Sequence, residues 1–127
     1  MNNKEIDERL KELNIEDFIW IIYLIIILAS YYSNHLERKY FKENDLKSRE
    51  QYRSVIIGIF IVLVIVYSYF LYESYKDLKS LKPSDTDKKK KLVILSFIAS
   101  LLILISGLIF LYIALKDEDL EIELAFN

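Results

Sequence analysis

LVILSFIASLLILISGLIFLYIAL, residues 92–115, contains no Asp, Glu, Lys or Arg, and its reading decides the fold. At about 1.5 Å of rise per residue, a helix through it outruns the ~30 Å hydrocarbon core of a bilayer. A helix in a water-soluble bundle keeps its apolar residues to a stripe of about 100°. This stretch is apolar all round. Working outward, VIIGIFIVLVIVYSYFLY (55–72) and FIWIIYLIIILASYYS (18–33) are runs of the same kind. The earliest reaches full length when Asn34, His35 and Leu36 form its interfacial end, giving a span of about 18–36. Backbone amides in lipid must pair within the segment, so three such runs predict three spanning α-helices. The expected fold is an all-α integral membrane protein, three transmembrane helices in an up-down-up bundle with helices extending beyond the bilayer.

Charged residues make up 28% of the chain and are confined almost wholly to the tails and two loops. There is no cysteine, which excludes disulfides, thiolate metal sites and a cysteine nucleophile. The formal net charge of −2 gives no case for nucleic acid. An acidic leader (Glu5, Asp7, Glu8, Glu12, Glu16, Asp17) and the lack of a small-x-small site after Ala29 make the first run an uncleaved span.

The 127 residues read as a single membrane domain. Ile6, Leu10 and Leu13 form the stripe of a short amphipathic segment over 4–13, with a solvated tail as its alternative. Asn14 then caps a first helix over 15–43, with Glu16 and Asp17 in its first turn. Asn44-Asp45 supplies the turn. Ser48 with Gln51 resembles a capping box opening a second helix over 48–81, which Pro83 terminates. Ser84-Asp85-Thr86-Asp87 reads as a turn and cap before a third helix over 86–116. Residues 117–127 are an acidic tail whose Leu120–Phe126 alternation suits either a loose end or a strand added to a partner's sheet.

Lys and Arg number 10 on the side of the N-terminal tail and second loop and 7 on the other. The positive-inside rule therefore predicts a cytoplasmic N-terminus and an outside C-terminus. Lys88, Lys89, Lys90 and Lys91 sit at the positive end of the third helix, where cations are disfavoured, so anionic lipid is their expected contact. Trp20, Tyr23, Tyr31, Tyr32, Tyr67 and Tyr72 are the expected interfacial anchors. Ser96, Ser100, Ile103 and Gly107 recur on one face of the third helix and, with Gly58 on the second, predict a helix-packing seam.

Ser30, Ser33, Asn34 and His35 cluster at one span end, but a lone His without a His, Cys or carboxylate partner builds no metal or catalytic site. No catalytic, cofactor-binding or metal residues are assigned, no small-molecule ligand is evident, and the chain is expected not to be an enzyme. Its abundance of Ile, Lys, Asn and Tyr resembles that of small membrane proteins from AT-rich bacteria. The expected role is a non-enzymatic, multi-pass protein of the bacterial inner membrane. It acts in the lipid bilayer by helix–helix association with itself, as a homo-oligomer, or with a larger membrane complex. The alternatives are a holin-like permeabilising protein, from whose usual basic tail the acidic C-terminus departs, and an accessory subunit of a transporter or membrane enzyme.

Overall fold

A computed structural model describes residues 2–122 and 124. It consists of α1 (Asn3–Glu43), α2 (Leu46–Lys79) and α3 (Asp87–Lys116), with no strand among the described residues. All three helices are long and apolar enough to cross a membrane. The chain divides into two compact units, residues 1–52 and 53–127, each described by itself below.

In the first unit, α1 begins at the chain's start and not at Asn14. The Asn2 side chain accepts from Glu5 N at 2.8 Å, and the Glu5 carboxylate accepts from Asn2 N at 3.2 Å, a reciprocal capping box. Asn14 therefore lies mid-helix, and the amphipathic stretch 4–13 is the first part of the same rod. A mid-helix Asn costs at most about 0.7 kcal/mol, less than the loss of a cap and a second nucleation. Arg9 also ties the stretch across position 14, reaching Glu12 at 3.0 Å and Glu16 at 3.4 Å. Its hydrogen bond to Glu12 and the nearby Glu16 charge hold the guanidinium above its ordinary pKa.

Helix α1 stops because Asn44 adopts the left-handed conformation (φ 52°, ψ 39°), which Asn tolerates better than most residues. Asp45 then opens α2. One carboxylate oxygen accepts from Lys47 N at 3.1 Å and the other from the Ser48 hydroxyl at 2.9 Å, with Lys39 Nζ 3.6 Å away. The expected Ser48–Gln51 box is not what starts this helix. An ionised carboxylate is the stronger acceptor, and Ser48, 2% exposed, spends its hydroxyl on it as a donor. Arg49 lies over the Tyr40 ring at 5.8 Å, a second tie across the turn.

The Ser48 hydroxyl, followed by Lys47 N and Lys39, holds the Asp45 carboxyl below its ordinary value of 3.8. A depressed folded value stabilises the turn above 3.8, and that contribution is lost as pH falls through the lower folded value. We expect the amide hydrogens of Lys47 and Ser48 to lose exchange protection below about pH 4 in the wild type. Asp45→Asn should remove that pH dependence; a transition that persisted in the variant would contradict this account.

In the second unit, α2 ends at Lys79, two residues before the expected boundary, and its last carbonyls are taken up by Ser80 N and Leu81 N. Pro83 stands in the following turn, where Lys82 N donates to the Asp85 carboxylate at 2.7 Å. Within the expected turn and cap, the cap of α3 is Thr86, whose Oγ1 accepts from Lys89 N at 3.1 Å. Thr86 has the extended backbone a cap requires (φ −65°, ψ 153°) directly before the first helical residue.

Beyond α3, Asp117 accepts from Glu121 N at 2.9 Å and Ile122 N at 2.8 Å. Leu120 turns through φ 57°, so residues 120–122 fold back and do not form the alternating strand. Leu124 is buried; Glu123 and Ala125–Phe126 lie outside the described residues.

Candidate functional site

The second unit is an antiparallel helical hairpin, and its seam is where the polar and small residues of the two apolar runs meet. Arg53 Nη2 donates to Leu115 O at 3.3 Å at one end. Phe60 and Phe110 stack with centroids 5.6 Å apart, Tyr67 lies on Gly107, the Ser74 and Ser100 hydroxyls are 2.8 Å apart, and Tyr75 faces Phe97 at 6.3 Å. On α3 the residues withdrawn from the surface include Val93, Phe97, Ser100, Leu104, Gly107, Leu111 and Ala114. On α2 they include Ile57, Phe60, Val64, Tyr67, Leu71, Ser74 and Leu78. Alternating steps of three and four give the 3.5-residue period of a left-handed helix-pair seam.

This α2–α3 seam shares part of its residues with the expected one. Ser100 and Gly107 belong to it, but Ser96 and Ile103, at the same alternation of four and three residues, are exposed, and Phe97 and Leu104, on the other side of Ser100 and Gly107, take the contact. Gly58 is no seam residue either: a Cβ placed there would meet nothing within 4 Å. At Gly107 the same Cβ would stand 3.0 Å from Tyr67 Cδ2 and 3.2 Å from Cε2. Tyr67, expected as an interfacial anchor, packs its ring against Gly107 inside the hairpin.

Trp20 and Tyr23 pack edge to face at 5.6 Å with Trp20 exposed, and Tyr31, Tyr32 and Tyr72 are exposed. Lys76 lies 5.4 Å over the Tyr72 ring, joining a cation to an aromatic at the end of the α2 run. Two of the four α3 lysines find partners within their own loop. Lys89 Nζ is 3.2 Å from Asp85, and Lys90 Nζ donates to Pro83 O at 3.2 Å. Lys88 and Lys91 stand exposed. The Asp85 carboxyl is held below its ordinary value, first by Lys82 N and then by Lys89.

The polar cluster at the end of the first run does not converge. Ser33 Oγ donates to Ser30 O at 2.8 Å, and Asn34 and His35 are exposed. Among the described residues no group of three or more His, Cys, Asp or Glu could hold a metal ion. Two of the open clefts among the described residues lie on the hairpin. One, of about 400 Å³, lies between the end of α2 and the start of α3 near Asp77, Thr86 and Lys88. The other, of about 310 Å³, lies over Tyr67, Ser106 and Gly107. Comparison with protein-family models, curated proteins and solved structures finds no match to this chain.

Proposed function

We propose that this chain is a non-enzymatic, multi-pass protein of a bacterial inner membrane, working by helix–helix association with itself or within a larger membrane complex. One observation carries the reading. In the most apolar windows of α1 and α3 only 6% of residues are buried, so Trp20, Ile27, Leu28, Leu102 and Ile109 project outward with 55% or more of their surface exposed. Water would disfavour each such side chain by roughly 1.5–3 kcal/mol relative to burial, whereas hydrocarbon accommodates them without that cost. The continuous backbone pairing of the three helices is what a lipid environment demands.

In this reading the helices run up, down and up, the N-terminus is cytoplasmic and the C-terminus outside. The interhelical contacts use small residues, a hydroxyl pair and close aromatic packing, the interactions that associate helices where no hydrophobic driving force exists. The test is extraction of membranes from expressing cells. The chain should stay in the pellet through alkaline carbonate and urea and leave only with detergent. Release by carbonate would end the proposal.

A further inference from the structure

We infer that the groove over Tyr67 and Ser106 is the docking face for a second copy of this chain, packed about a two-fold axis along the bilayer normal; this rests on the membrane reading above. The groove, about 310 Å³, is lined by Phe60, Tyr67, Ile103, Ser106, Gly107 and Phe110, and continues the α2–α3 seam outward. Among the described residues neither the Tyr67 nor the Ser106 hydroxyl has a hydrogen-bond partner. A serine can close onto its own helix, as Ser68 does on Val64 O at 2.8 Å. A tyrosine cannot, so Tyr67 carries the argument.

The depth of the Tyr67 ring excludes water as its partner. It lies beside Gly107, eight residues inside the nearer end of the 92–115 run, or about 12 Å at helical rise. Its side chain leans toward the N-terminus of α2, away from the closer end of the 55–72 run. An acyl chain filling the groove offers neither donor nor acceptor. A second copy related by an axis along the normal presents the same two hydroxyls at the same depth, each able to donate and accept. Ile103 and Leu102, 49% and 57% exposed at the groove's edge, then pack across the axis.

The chain has no cysteine, so single thiols report on one position each. Ile103→Cys and Ser106→Cys should give covalent dimers when native membranes are oxidised. Leu108→Cys, exposed at nearly the same depth but about 200° round the helix from Ser106, should give little. Tyr67→Phe keeps the ring and removes the hydroxyl, and should lower the dimer association constant in detergent about threefold. No dimer from the first two thiols in a chain that carbonate leaves in the membrane overturns the inference, as does equal dimer from Leu108→Cys or an unchanged constant for Tyr67→Phe. A chain that carbonate strips from the membrane instead refutes the membrane reading itself.

Discussion

Gly107→Leu forces α2 and α3 apart and lowers the stability of the hairpin by about 1–3 kcal/mol, the range of core overpacking. The backbone at Gly107 is ordinary helix, so conformational freedom is not the cause. A Cβ alone would meet Tyr67 Cδ2 at 3.0 Å and Val64 Cγ2 at 3.6 Å, and leucine adds three more carbons in that direction. Denaturing-detergent titration of the purified chain, followed by circular dichroism and by fluorescence between labels on α2 and α3, measures the loss. Tyr67→Ala in the same chain should recover most of it, because it empties the space that the leucine needs. Equal losses with and without Tyr67 would show that the contact is not the cause.

Phe60→Ala should have the second large effect, on the order of 2 kcal/mol by the same titration. Phe60 is 1% exposed, and its ring packs on Phe110 at 5.6 Å. In a water-soluble core the same truncation costs about 3–5 kcal/mol, from transfer and cavity together. In lipid the separated helices still lie in hydrocarbon, so the transfer term largely disappears and the lost dispersion and the cavity remain. Phe60→Leu, which refills most of the volume, should retain more than half of the stability. A loss of 4 kcal/mol or more for alanine would indicate that water reaches the separated helices.

The three apolar helices were legible because their signal is long and strong: eighteen or more positions without a charge leave few structures open. Their ends were less so. Asn14 looked like a cap because acids follow it, yet Asn2 offered the same chemistry with Glu5 in reciprocal position, and Arg9 bridging Glu12 and Glu16 favours continuity. At α2 the choice between Asp45 and Ser48 turned on which acceptor is stronger, a comparison that a pattern of letters does not rank. The seam was half legible. Its small residues are visible in the sequence, but whether Ser96 and Ile103 or Phe97 and Leu104 flank Ser100 and Gly107 in the contact depends on what lies opposite. Only the facing Tyr67 shows that Gly107 is a contact and Gly58 is not.

The hydroxyl pair and the arginine at the far end of the hairpin bear on sliding. Two rods of Ile, Leu and Val can shift past one another by a heptad, about 10 Å, and still interleave, because each level looks much like the next. Ser74 on Ser100 and Arg53 on the Leu115 carbonyl match at one alignment only, and they sit 21 residues apart along α2. Pinned at two separated heights, the hairpin has a defined vertical offset that its grease alone does not set, and the lengths of apolar helix offered to each leaflet are fixed with it.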